Sequence, residues 1–253
     1  MKQGGLVCVC LLLIMMFCVP VFAQPSDKSV ETIPIDDFDK KDEMAWVWSV
    51  QASKAIHKGT DEDGNVVDEK DDKNYPRYGY VEGIPNSLKA MRDADADTPY
   101  VFGAQVKYDR KGDNWFEVFP SDSESGEVKE IPFKGRVTQL DMWVWGANYL
   151  YYLEVIIRDA EGTVHVIPAA SLNYSGWKNI VVTIPSYIRQ SSKLRSGPET
   201  MNFVGFRVRA DPNEFADDFV IYFDQLRYTS STMNTIYDGF ELRKPDFSQG
   251  GND

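Results

Sequence analysis

Only two imidazoles, His57 and His165, could serve as a general base or a metal ligand. They lie far apart in sequence, and His165 sits in the alternating run Thr163–Ile167, which fits a side chain on a sheet face. All three cysteines, Cys8, Cys10 and Cys18, fall in the first 18 residues, so no His/Cys spacing outlines a zinc site. Paired carboxylates would suit glycoside hydrolysis. Most of the 39 acids lie in loops or beside turns, where solvation accounts for them. Glu154, between Leu153 and Val155, fits an outward strand position, and Asp224 ends the run Val220–Asp224. Hard-oxygen groups near Asp36, Asp37 and Asp224 are the place for a structural cation, although no spacing selects one. Asp61-Glu-Asp-Gly-Asn does not make a calcium loop: Gly64 falls fourth and Asp72 twelfth, where glycine belongs sixth and glutamate twelfth. No catalytic, cofactor-binding or metal-binding set emerges.

The aromatic residues are the stronger candidates. Trp143 and Trp145 share one face of a strand, opposite Leu140, Met142 and Val144, and Tyr149, Tyr151 and Tyr152 follow closely. Either this face is a platform for sugar rings or a neighbouring protein, or loops cover it. Trp177, after Ser175-Gly176, reads as core. In Phe203–Arg209 the alternation puts Val204, Phe206 and Val208 on one face. Arg207 and Arg209 lie on the other, placed to pair with acids across an interface or to sit on a solvated sheet. The interaction candidates are therefore Trp143, Trp145, Tyr149, Tyr151, Arg207 and Arg209. Asn173-Tyr-Ser175 is a short glycosylation sequon.

The elements that must position these residues are strands. Val137–Gly146, Tyr151–Gly162, Thr163–Ile167 and Tyr174–Pro185 are rich in β-branched and aromatic residues, with Gly, Asn or Pro between them. Further strands are expected at Ile33–Phe38, Trp46–Val50, Ser87–Met91, Tyr100–Tyr108, Trp115–Pro120, Phe203–Arg209 and Phe219–Leu226. Asp61–Asp72 and Ser121–Glu130 read as acidic loops, the first with the turn signal Asp63-Gly64-Asn65. A helical period is nowhere sustained, and Pro185–Arg195 has room for one turn. Some ten short strands with polar turns give an all-β sandwich of two antiparallel sheets with long loops.

The N-terminus is read as an export signal: Lys2, an apolar run from Leu6 to Val19, and Val21-Phe22-Ala23 before a cleavage point. The apolar run is short for a spanning helix. Phe17 beside Cys18 fits lipid attachment poorly. Residues 1–23 are then a signal peptide, 24–32 a flexible N-terminus, 33–228 the sandwich and 229–253 a tail, with an edge strand conceivable at Tyr237–Leu242. Removal of residues 1–23 takes every cysteine with it, so the mature fold rests on burial alone. With 27 basic against 39 acidic residues the net charge is −12. Such a surface argues against nucleic acid as a partner and against membrane insertion after signal cleavage.

The chain resembles the flagellar filament outer-layer (sheath) proteins of spirochaetes, the FlaA family. The residues that carry the likeness are Val21-Phe22-Ala23, Ile35–Phe38, Trp143-Val-Trp-Gly146, Arg158-Asp-Ala-Glu-Gly162, Gly176-Trp-Lys-Asn179 and Val220–Asp224. The likeness spans about Ile33 to Tyr228, and the order of the motifs is more specific than any one of them. The same order is similar to the jelly-roll sandwich of galactose-binding-like and carbohydrate-binding modules. The resemblance implies a non-catalytic subunit of the periplasmic flagellum that sheathes a flagellin core, contacts other sheath subunits and serves motility. The alternative it leaves open is an exported, non-catalytic carbohydrate-binding module.

Overall fold

Alternation of apolar and polar residues drives almost every element into strand. The computed structural model describes residues 28–39, 45–67, 73–91, 97–192 and 200–233. The expected signal peptide with its cysteines, and the edge strand expected at Tyr237–Leu242, lie outside them. In chain order the strands are β1 (Lys28–Asp36), β2 (Val47–Ala52), β3 (Arg77–Glu82), β4 (Tyr100–Val106), β5 (Trp115–Ser121) and β6 (Ile131–Pro132). They continue with β7 (Arg136–Ala147), β8 (Tyr151–Arg158), β9 (Val164–Ser171), β10 (Ser175–Thr183), β11 (Asn202–Ala210) and β12 (Phe219–Met233). One short helix, α1 (Asn86–Lys89), interrupts them.

The strands form two six-stranded sheets. The first runs β10-β7-β12-β4-β3, with β1 also on β12; the second runs β2-β5-β11-β8-β9, with β6 on β11. Every pairing among the central strands is antiparallel. The result is a jelly-roll β-sandwich. Val30–Thr232 forms one compact unit.

Inward side chains from both sheets meet in a layer of rings. Phe206 stacks on Phe223 at 4.9 Å between centroids and Phe116 meets Phe219 at 6.0 Å. Trp48 lies between Phe102 at 5.9 Å and Phe206 at 6.1 Å. Leu140, Met142, Val144, Leu153, Val155 and Ile157 fill the space around them and are fully buried. Each such side chain contributes about 1.5–3 kcal/mol on leaving water.

Several sequence expectations need correction. Ser87–Met91 is not a strand. Pro85 precedes it with φ −56°, and its carbonyl accepts from the N–H of Leu88 and Lys89, which closes a helical turn. Val204 does not share the core face with Phe206 and Val208. A bulge between Phe203 and Gly205 turns Phe203 inward instead. The bulge is possible because Gly205 lacks a side chain: a Cβ there would lie 2.5 Å from the Val118 carbonyl oxygen. Strand order reaches further than expected at both ends, since β1 starts at Lys28 and β12 runs to Met233.

Candidate functional site

Cross-strand register decides what each outer face presents. On the first sheet, Trp177 of β10 pairs with Trp145 of β7, Trp145 with Tyr222 of β12, Tyr222 with Gly103 of β4, and Gly103 with Gly79 of β3. One row across five strands therefore descends from two indoles through a phenol to two glycines. Trp143 occupies the next row, between Asn179 and Asp224. Trp143, Trp145, Trp177 and Tyr222 are all half-buried, and Tyr222 meets Trp145 edge-on with 5.5 Å between ring centroids. Tyr222 lies down over Gly103, where a Cβ would stand 2.7 Å from its ring. Beyond it a trough of about 400 Å³ opens over Gly79, with Arg77, Gln105 and Val81 on its walls. Trp177, expected in the core, is an outer-face residue instead. Its neighbour Ile180, on the other parity of β10, is the one that is buried.

Below the indoles, Asp141 accepts from Arg227 Nε at 2.7 Å, so the aromatic face ends in an ion pair. Asp224 is buried at a bulge of β12 where Gln225 takes φ +51°. Asp36 is also buried, and both its oxygens accept hydrogen bonds, from Trp48 Nε1 and from the Phe38 N–H. Among the described residues no group of three or more His, Cys, Asp or Glu side chains is placed to hold a metal ion. Asp37 and Asp224 thus gain no cation site from the geometry.

The second sheet presents a different outer face. Glu117 of β5, Arg207 of β11, Glu154 of β8 and Pro168 of β9 form one row. Trp115, Arg209, Tyr152 and Ser171 form the next. Arg207 donates to Glu117 Oε1 through Nε at 2.8 Å and through its terminal nitrogen at 2.6 Å. The guanidiniums of Arg207 and Arg209 lie over Trp115 and Tyr152, at 5.8 and 5.1 Å from the ring centroids. Arg207 and Arg209 are both partly exposed on this face, and each already belongs to an ion pair within the sheet.

Tyr149 and Tyr151 do not join either face. Tyr151 is 0% exposed, stacks on Phe219 at 4.2 Å and donates its hydroxyl to the Phe215 carbonyl. Burial pushes its phenol well above the usual range. Tyr149 packs edge-on against Phe219 at 5.6 Å. Both follow Asn148, which takes φ +63° between β7 and β8. Tyr151 is thus a core residue, unsuited to meet a partner.

The histidines are tied to turn carboxylates. His57 meets Asp109 at 2.6 Å and His165 meets Asp159 at 2.8 Å. Burial acts to raise the Asp159 carboxyl, but the hydrogen bonds from His165, Thr163 N–H and Glu161 N–H outweigh it and hold it low. That carboxylate thus closes the Asp159–Gly162 turn. Asp61 does the same at the tip of the acidic hairpin, accepting from the N–H groups of Asp63 and Asn65.

Residues 29–236 match the family of the flagellar filament outer layer protein FlaA. The chain belongs to that family. Among its FlaA-like relatives, a flagellar filament outer layer-like protein of Brachyspira hyodysenteriae is 32% identical over 154 residues, which is 59% of this chain and 67% of that one. The flagellar filament outer layer protein of Treponema pallidum is 31% identical over 124 residues, 45% of this chain and 34% of that one. The match thus takes in about a third of the Treponema protein. Among solved structures, a family 61 carbohydrate-binding module in complex with β-1,4-galactotriose aligns with TM-score 0.41 and 12% identity. That alignment covers 79% of this chain and 99% of the module. A Clostridium thermocellum family 11 module aligns with TM-score 0.41 and 10% identity, over 83% and 99%.

Proposed function

We propose that this FlaA-family chain is an exported, non-catalytic subunit of the sheath of the periplasmic flagellum, and that it assembles around a flagellin core beside other sheath subunits and so contributes to motility. The observation that carries the reading is the pair of unlike outer faces. One displays Trp143, Trp145, Trp177 and Tyr222; the other displays an Arg/Glu ladder backed by Trp115 and Tyr152. A subunit of an open filament needs two different surfaces, because head-to-tail contacts do not close on themselves. Aromatic and arginine side chains are the residue types that carry most energy in protein contacts. The aromatic face is the better candidate for the tighter contact, since its rings are half-sheltered before any partner arrives.

The family relationship supports the filament setting. No helix among the described residues is long and apolar enough to cross a membrane. The net charge of −12 does not oppose assembly, since screening confines repulsion between exposed charges to about 8 Å at physiological salt. The testing experiment is a pull-down from a periplasmic extract with the tagged mature chain. Recovery of flagellin and sheath proteins is the expected result, and recovery of neither counts against the reading.

A further inference from the structure

β2 and β3 are edge strands of the two sheets, and a hollow of about 500 Å³ opens between them. Val50 and Ala52 of β2, Ile56 and the ring of Tyr78 of β3 supply its apolar wall, and Lys54 and Lys58 its rim. Both lysines are exposed, and among the described residues neither has a carboxylate partner. Three acids at this end of the fold are engaged elsewhere. Asp109 meets His57 at 2.6 Å, Asp217 meets Lys107 at 3.1 Å, and Asp218 accepts from the Tyr75 hydroxyl at 3.0 Å. The hollow is thus a cationic spot on a chain whose net charge is −12.

The opposite end of the same edge carries the complement. β5 starts beside the hollow, where the Trp115 carbonyl accepts from the Ser53 N–H at 2.8 Å, and it ends at Ser121, opposite Val47. Its seven residues set the two ends about 20 Å apart. Beyond Ser121 the chain turns through an acidic tip, residues 122–128. Asp122 shapes the tip by accepting from the N–H groups of Glu124 and Ser125 at 3.0 and 2.9 Å. Glu124 and Glu127 are exposed, and among the described residues their carboxylates have no partner. Lys129, the nearest cation in sequence, donates to the Ala45 carbonyl at 2.8 Å. Beside the two acids, Val128 is 51% exposed. An aliphatic side chain next to two free carboxylates matches an apolar wall rimmed by two free ammonium groups.

We infer that the acidic tip of one copy docks in the lysine-rimmed hollow of the next, so that copies of this chain join head to tail along the β2/β5 edge. Glu124 and Glu127 then meet Lys54 and Lys58, and Val128 covers the apolar wall. The two surfaces differ and sit at opposite ends, so each contact leaves one hollow and one tip free for a further copy. Opposite charges at the contact offset the repulsion between two acidic chains and set their register. A tip of this length falls short of the roughly 20–30 residues a side of a stable complex. Two free chains therefore associate weakly, and an array adds to the contact by avidity. The contact leaves the indole face and the Arg/Glu ladder uncovered. It deepens the filament reading, on which its place in a sheath rests, but the purified chain alone tests it.

The test is a dilution series of the ¹⁵N-labelled, purified mature chain from about 1 mM, at about 50 mM salt, followed by amide shifts and sedimentation velocity. Concentration-dependent mass is expected, with shifts at Lys54, Lys58, Glu124 and Glu127. Lys54→Glu/Lys58→Glu and, separately, Glu124→Lys/Glu127→Lys change only exposed side chains and should melt like the parent. Each should weaken self-association by about tenfold or more. In an equimolar mixture of the two variants every tip again faces a hollow of opposite charge, and association should return. A parent that stays monomeric to about 1 mM overturns the inference. So does association that either folded variant retains, a mixture as dissociated as its components, or shifts confined to the outer sheet faces. Such a result beside recovery of filament proteins in the pull-down would strike this contact alone. Self-association without that recovery would strike the filament reading alone.

Discussion

The indole N–H of Trp48 donates to Asp36 Oδ2 across 2.7 Å, and the other oxygen of that carboxylate accepts from the backbone of Phe38. Phe38 takes φ +62°, a conformation that costs a bulky residue energy, and it stacks on the same indole at 5.5 Å. One buried acid thus joins the end of β1 to β2 and holds Phe38 in an otherwise unfavourable geometry.

Burial pushes the Asp36 carboxyl up to about 6, against the pull of those two hydrogen bonds and with a small push from Asp37 and Asp39. Its folded pKa is therefore above its unfolded value. The stability this group contributes is fully present below about pH 4 and is lost as pH rises through about 6. Asp36→Asn does not titrate, so the stability gap between the two proteins isolates the effect. From about pH 4 to pH 7 the gap should move against the parent by about 3 kcal/mol in chemical denaturation. A gap that stays constant with pH contradicts this assignment.

The tryptophans separate into two classes. Trp48, 4% exposed among Phe102, Phe203 and Phe206, should cost about 3–5 kcal/mol as Trp48→Ala. Trp143→Ala, Trp145→Ala and Trp177→Ala on the half-sheltered outer face should each cost about 1 kcal/mol or less, in line with ordinary surface changes. Thermal melts of all four distinguish the classes. A loss as large for the outer three as for Trp48 would mean that their face is core.

Two glycines test the sheet geometry in opposite senses. In Gly205→Ala the new methyl meets the Val118 carbonyl, a backbone atom that cannot swing away. A loss of about 2–3 kcal/mol is expected. In Gly103→Ala the obstacle is the ring of Tyr222, which can rotate. That variant should melt close to the parent while its Tyr222 resonances shift.

Much of this fold is visible in the sequence because period-two patterns are local. Val137–Gly146, Phe203–Arg209 and Phe219–Leu226 each announce a strand, and the opposite faces of Trp143 and Leu140 follow from spacing alone. What escaped is set by pairing between distant strands. β3 was missed because Arg77-Tyr-Gly-Tyr80 is an exposed edge with little apolar alternation. Trp177 and Tyr222 join Trp145 only through register, and no local signal reports that Trp177 faces outward. Tyr151 reads like its neighbour Tyr152, yet one fills the core and the other carries Arg209. Val204 was misplaced by the bulge at Gly205, since a single inserted residue reverses the parity of the strand before it.

The Arg/Glu ladder should matter more for recognition than for stability. Arg207 and Glu117 are partly exposed, and such pairs contribute about 1 kcal/mol or less. Arg207→Lys should leave the melting temperature within a few degrees of the parent while removing the paired donors that Glu117 now receives. A collapse of the fold in that variant would show that the ladder is a structural strut.

The central claim, that the aromatic face attaches this chain to a flagellar filament, is tested most directly by co-sedimentation. The mature chain and its Trp145→Ala/Trp177→Ala double variant would each be mixed with filaments stripped of their outer layer. The parent is expected in the pellet in saturable amount, with the folded double variant left in the supernatant. A parent chain that stays in solution, or a double variant that sediments as well as the parent, would contradict it.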